Sequence, residues 1–420
     1  MSLARFGRGF SSLEVRNYRL YFFGQLISLI GTWMEGVAQA WLVLTLTNDP
    51  VALGVRSALQ FLPVMILGLF GGILADALPK RRTLYFTQGT AATISFVVWA
   101  LVLTGQINIW EIYFLAACLG VVNSVDMPVR QAFVVEMVGR EHLVNAVALN
   151  SAVFNSARIL GPSVAGALIV FVGLAPCFFI NGCSFVAVIF SLYLMRAEEL
   201  MPGARMAVEH SVRGVFGQLG EGLRYIRGTP PVLIAIATLG IVSTVALNFS
   251  VVIPLYAADT LHGNAGTYGA LMAASGVGSL CSALFIAFQQ RPDLRMLVLG
   301  AALVGAALIA LSFSSVLAVS MLIMALLGAS VILMSATTNT LIQLAVPDQL
   351  RGRVLAVYTT VFAGSTPIGG LLAGLVTGAT NVAFTLLAAG VVTVVTAGGA
   401  LTRVRAGPQG GRPVASESTA

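Results

Sequence analysis

The sequence predicts an all-α membrane protein: twelve transmembrane helices in two pseudo-symmetric six-helix bundles. Three observations carry that prediction. Hydrophobic residues make up 58% of the chain and charged residues 9%, against roughly a quarter charged in soluble domains. Apolar stretches long enough to cross the hydrocarbon layer as helices recur along the chain. Of the 23 Lys and Arg, all but Arg56 and Arg158 fall in alternate connections or tails, on one side of the proposed membrane. The opposite connections hold Asp49, Asp259 and His262 but no Lys or Arg, and that asymmetry places both termini in the cytoplasm. The net charge of +7 therefore reports topology and no nucleic-acid partner.

The elements follow in order. Ser11-Ser12-Leu13-Glu14 has capping-box spacing and predicts a short interfacial helix. The basic N-terminus then runs into span 1 without a small-residue cleavage site, so no signal peptide is expected. Spans 1 to 6 fall near 18–45, 51–78, 83–104, 109–137, 142–171 and 175–196. In the long connection that follows, Val212, Val215, Phe216, Leu219, Leu223 and Ile226 share one helical face, with Arg213, Gln218, Glu221, Arg224 and Arg227 opposite. That pattern predicts an amphipathic helix on the inner membrane surface. Spans 7 to 12 fall near 231–258, 265–289, 294–313, 315–344, 350–379 and 381–402. The domain reading is an N-terminal bundle (1–196), a cytoplasmic linker (197–229), a C-terminal bundle (230–403) and a disordered cytoplasmic tail (404–420).

A repeat supports the two bundles. One shift places Leu119-Gly120 on Leu327-Gly328, Phe154 on Phe362, Gly161 on Gly369, and Ala165-Gly166 on Ala373-Gly374. The first spans need a different shift. Cys118, Cys177, Cys183 and Cys281 sit in or beside spans with no zinc or redox spacing, so no metal is expected. No nucleotide loop or nucleophile–base arrangement is present either, which argues against an enzyme or a cofactor and for an ion gradient as the energy source.

Between spans 2 and 3 stands Gly72-Ile73-Leu74-Ala75-Asp76-Ala77-Leu78-Pro79-Lys80-Arg81-Arg82. It resembles the signature loop of the major facilitator superfamily, with Gly72, Asp76 and Arg81 in the main positions. Ala77 and Pro79 depart from the pattern. Further pieces resemble the enterobactin-exporter branch of efflux proteins (transmembrane secretion effectors): Arg16-Asn17-Tyr18-Arg19-Leu20, Gly31-Thr32-Trp33-Met34, Leu59-Gln60-Phe61-Leu62-Pro63, Asp126-Met127-Pro128-Val129-Arg130 and Glu221-Gly222-Leu223-Arg224-Tyr225. The resemblance covers nearly the whole chain except its C-terminal tail. It implies two bundles around a central cavity in the bacterial inner membrane, working as a monomer. The expected activity is export of a small organic molecule, a siderophore or an amphiphilic drug, by proton antiport and alternating access. The alternative is proton-coupled or facilitative uptake of a metabolite, or movement of a lipid.

Intramembrane charges are costly and mark function or a partner, and here they are confined to the first bundle. Glu35 lies roughly 24 Å above Arg19 at 1.5 Å per residue. It is expected either to carry the coupled proton or to pair with Arg56. Asp126 and Arg158, on adjacent spans, either form a buried pair or leave Arg158 facing the cavity toward an anionic substrate. The resemblance implies a conformational latch of Gly72, Asp76, Arg81 and Arg130; the bland reading is membrane anchoring by the basic cluster.

Ala157, Gly161 and Ala165 form one close-packing face, and Pro162 bends the helix beside it. With Gly166 they resemble the span-5 motif of antiporters. The arginine that many drug antiporters carry early in span 4 is absent, since Ala116 and Ala117 occupy that region. Candidates for the substrate cavity are Trp33, Asn123, Asn155, Asn248, Asn339 and Gln343.

Overall fold

The structure, a computed structural model, describes residues 10–70, 78–201, 212–287 and 293–406. Gly72 and Asp76 of the signature loop lie outside the described residues, as do 202–211 of the linker and 407–420 of the tail. Within the described residues twelve helices are long and apolar enough to cross a membrane. The first six are α1 (Arg16–Thr47), α2 (Pro50–Leu67), α3 (Lys80–Leu103), α4 (Ile109–Val138), α5 (Leu143–Phe171) and α6 (Ala175–Leu194). The linker helix α7 (Val212–Gly228) follows. The seventh span, Pro230–Thr260, is broken: α8 (Pro230–Ala246) gives way at Leu247-Asn248 to α9 (Phe249–Leu255) and a π-helical turn. Five more spans complete the chain: α10 (Ala265–Ala287), α11 (Leu294–Ser312), α12 (Leu317–Ala345), α13 (Asp348–Ala379) and α14 (Val382–Ala406).

Short polar caps set several boundaries. Asp49 accepts a bond from the Val51 amide at 2.8 Å, with Pro50 at the first helical position. Asn108 and Glu111 close a capping box at the start of α4. The capping box expected at Ser11 does not form. Ser11–Glu14 is a 3₁₀ turn, and buried Ser12 donates through its amide (3.0 Å) and hydroxyl (2.7 Å) to Asn145 Oδ1 instead. A tertiary partner at the start of α5 thus outcompetes the local cap.

The bundles meet unevenly across the membrane. One core joins them, and its N-terminal-bundle members, Met34 to Leu44, Ala52, Leu53, Val98, Ile112, Ala165, Cys177 and Phe178, all lie in the half remote from the chain termini. On the terminal side the cores separate. One contains Tyr18, Phe133 and Leu192 of the first bundle, the other Ile236, Ile342 and Val354 of the second. Among the described residues, the first bundle therefore shares its core with the second only at the far side.

Glycines make the closed side possible. A methyl on Gly54 of α2 would come within 2.7 Å of the Gly370 carbonyl on α13 and 3.3 Å of the Gly374 Cα. A methyl on Gly269 of α10 would come within 2.5 Å of the Pro162 carbonyl and 2.9 Å of the Gly166 Cα on α5. Only small residues permit such backbone approach.

The linker helix packs against the C-terminal bundle. Ile226 is 3% exposed and packs with Val232, Val354 and Val357, with Leu219 and Tyr225 alongside. The Tyr225 hydroxyl donates to the Ala345 carbonyl at 3.3 Å, and Glu221 pairs with Arg353. The C-terminal bundle covers Leu219 and Ile226 of the apolar face; Leu223 stays exposed. An apolar protein groove is as good a partner for that face as lipid.

Candidate functional site

A cavity of about 480 Å³ opens within the N-terminal bundle, with walls drawn from residues between Tyr21 and Phe185. Its polar lining is mostly neutral amide: Gln25, Gln39, Gln60, Gln88, Asn150 and Asn181, beside Glu35, Asp126 and Arg130.

Three helices place donors on Glu35, which is 3% exposed. From its own helix, Gln39 donates to Glu35 Oε1 at 2.8 Å. From α3, the Ser95 hydroxyl donates to Oε2 at 2.7 Å, and from α6 Asn181 donates to the same oxygen. Arg56 of α2 does not reach the carboxylate. It donates to the Gln39 side-chain oxygen and, at 2.8 Å, to Gln60. The expected Glu35–Arg56 pair is thus replaced by a glutamine bridge.

The second group gathers on Asp126. Arg130, one turn along α4, holds Oδ2 with its Nε at 2.9 Å and is also bonded there through Nη2. Thr87 and Gln88 of α3 donate to Oδ1 at 2.6 and 2.8 Å. Arg130 reaches Gln25 of α1 as well. The expected Asp126–Arg158 pair does not form, because a cation four residues away on the same helix takes the carboxylate first. The latch expected of Arg130 with Gly72 and Asp76 falls on residues outside the described ones; within them Arg130 bonds Asp126 and Gln25.

Arg158 points elsewhere. Its guanidinium carbon stands 5.9 Å from the centroid of the Trp33 ring, and Trp33 meets Phe154 edge-on at 5.7 Å. Both aromatic residues line the cavity. Among the described residues no carboxylate lies within ion-pair distance of Arg158.

At the terminal side Lys80 pairs with Glu136 at 2.7 Å. Arg81 donates to the carbonyls of Leu192 (2.8 Å), Tyr193 (3.3 Å) and Met195 (3.2 Å). A guanidinium there satisfies the free carbonyls at the end of α6 and meets the negative end of its dipole.

The span-5 motif serves two contacts. Ala157 and Ala165 are fully buried, and a methyl on Gly161 would come within 2.5 Å of Trp33 Cβ, so this face packs on α1. Pro162 and Gly166 face α10 of the other bundle.

Of the expected cavity residues, Trp33 and Asn123 line this cavity and four do not. Asn155 bonds the Ser151 carbonyl of its own helix at 2.8 Å. Asn248 bonds the Thr244 carbonyl at 2.8 Å, buried against Gly369. Asn339 and Gln343 bond each other on the C-terminal bundle. Conversely Gln39, Gln60, Gln88, Ser95 and Asn181 are site residues beyond those expected. Their signal is spacing: Gln39 follows Glu35, and Gln60 follows Arg56, by one helical turn.

The profile of the transmembrane secretion effector family matches residues 8–410. The chain belongs to that family. Relatives of this chain within the major facilitator superfamily include the staphyloferrin A transporter of Staphylococcus aureus, 25% identical over 84% of this chain and 88% of the relative. The multidrug efflux pump Tap of Mycolicibacterium fortuitum is 26% identical over 88% and 91%. The enterobactin exporter EntS of Citrobacter koseri is 26% identical over 85% and 84%. In fold, the chain resembles the nucleoside transporter NupG, with a TM-score of 0.73 at 12% identity over 93% of this chain and 99% of that one. The chain is therefore a multi-pass membrane transporter of small molecules, not an enzyme.

Proposed function

We propose that the protein exports a small organic molecule, a siderophore or an amphiphilic drug, across the bacterial inner membrane by proton antiport and alternating access. Glu35 is the proton carrier in this reading. The observation that supports it most is the glutamine bridge: Gln39 stands between Glu35 and Arg56, so Glu35 rests on neutral donors. A carboxyl held that way exchanges a proton without dissolving a direct ion pair, and it does so in a cavity wall where substrate passes. Relatives named for staphyloferrin A, enterobactin and multidrug efflux support the substrate range and the outward direction.

Alternating access gives the uneven interface a role. With both termini cytoplasmic, the far-side core and its glycine contacts form the outer gate, and the split cores open the cavity inward. The cycle exchanges which side is shared.

Direction is tested in cells. A strain lacking the gene should accumulate the compound inside relative to the wild type, and re-expression should lower it. A strain that instead fails to take the compound up would support import and overturn the export reading.

A further inference from the structure

We propose that Arg158 and Trp33 form the substrate-recognition subsite, and that it selects molecules carrying an anionic group beside an aromatic ring. This deepens the transport reading above and rests on it. Arg158 is the starting observation. It sits about midway along α5, its guanidinium over the Trp33 ring at 5.9 Å, and no described carboxylate reaches it. The other intramembrane cations of this bundle are held by side-chain oxygens: Arg130 by Asp126 and Gln25, and Arg56, which also meets no carboxylate, by the amides of Gln39 and Gln60, whereas Arg158 stands over an aromatic ring.

A guanidinium at membrane depth without an anionic partner is costly, and such residues belong to substrate pathways by default. The missing partner is thus supplied from outside the chain. Charge balance gives the same sign. Arg56, Arg130 and Arg158 face two acids, Glu35 and Asp126, and Asp126 is already matched by Arg130. Of the two acids in the cavity lining, Asp126 is matched by Arg130 and Glu35 is bonded by neutral donors, and the lining's amides and aromatics can fix an oriented polar ligand.

Position adds an independent argument. The Arg158 carbonyl and Ile159 lie against Gly276 of α10, where a methyl would come within 3.0 and 2.8 Å of them. Phe154, one turn before Arg158, packs edge-on against Trp33. The subsite therefore stands where the first bundle's cavity wall meets the second bundle, and a ligand there touches the boundary that transport must move. An aromatic acid fits both features: its carboxylate takes the guanidinium in a bidentate pair, and its ring takes the Trp33–Phe154 wall.

The test uses purified full-length protein in nanodiscs of zwitterionic lipid, at equilibrium and without a proton gradient. Tryptophan fluorescence is titrated with 2-naphthoate, with its methyl ester, and with a naphthylmethyl trimethylammonium ion. Naphthoate should quench in a saturable way, and the quench should vanish in Trp33→Phe. Arg158→Gln should weaken naphthoate on the order of tenfold or more, the loss of one charge-assisted contact. Arg158→Lys should recover part of that, and the ester should bind equally to wild type and Arg158→Gln. Size-exclusion profiles confirm that each variant is folded. Absence of saturable naphthoate binding, equal naphthoate affinity in wild type and Arg158→Gln, or preference for the ammonium ion would each overturn the proposal. Because no gradient is imposed, these failures leave the coupling role of Glu35 standing, and loss of coupling leaves the subsite standing.

Discussion

Glu35 and Arg56, both 3% exposed, are joined only through Gln39, which donates to the one and accepts from the other. The bridge lets a buried acid and a buried cation share one site without a direct ion pair. Replacing Gln39 with Leu removes a donor and an acceptor at once. Each buried group left without its partner costs about 1–3 kcal/mol, so thermal unfolding in nanodiscs should occur at a clearly lower temperature. An unchanged melting temperature would show that the bridge does not form.

Asp126 and Arg130 give a second expectation, set against Arg158. Asp126→Ala strands the Arg130 charge and should destabilise by about 3–5 kcal/mol. In a double-mutant cycle, Asp126→Asn and Arg130→Gln should show strong coupling. Asp126→Asn and Arg158→Gln should be additive within about 0.5 kcal/mol, as for residues without shared partners. Coupling in the second cycle would restore the Asp126–Arg158 pair that the geometry argues against.

The closed far side is testable by filling its glycine contact. A methyl on Gly374 would lie 2.7 Å from the Pro50 carbonyl and 3.2 Å from the Gly54 Cα. Gly374→Leu should therefore keep the two bundles from closing there and abolish transport, while a size-exclusion profile like the wild type shows that the protein is folded. Transport by Gly374→Leu at the wild-type rate would contradict closure at this boundary.

Much of the fold was legible because the membrane reduces the possibilities to apolar helices joined by short polar turns. The predicted second span, 51–78, is the instructive case: it is helical from Pro50 to Leu67 and continues as a 3₁₀ turn to Phe70, while 71–77 lie outside the described residues. The site was less legible. Height along a helix brought Asp126 and Arg158 within reach, but only three dimensions show that Arg130 takes the acid and that Arg158 turns to Trp33. Amides were the other blind spot. Charges stand out in an apolar sequence, whereas Gln39 and Asn181 become meaningful only once α1, α3 and α6 gather donors around Glu35.

Orientation yields a further expectation. Single cysteines at Asp49, His262 and Ser315, each in a turn on the far side from the termini, should react with a membrane-impermeant thiol reagent added outside intact cells. Reaction only after permeabilisation would invert the topology and the assignment of the gates.

The central claim is that Glu35 couples proton movement to substrate movement, and proteoliposomes test it most directly. Adding an exported compound should change the internal pH of vesicles carrying the wild-type protein, and Glu35→Gln should abolish that change while the protein remains folded. Substrate-dependent proton flux in Glu35→Gln equal to the wild type would contradict the account.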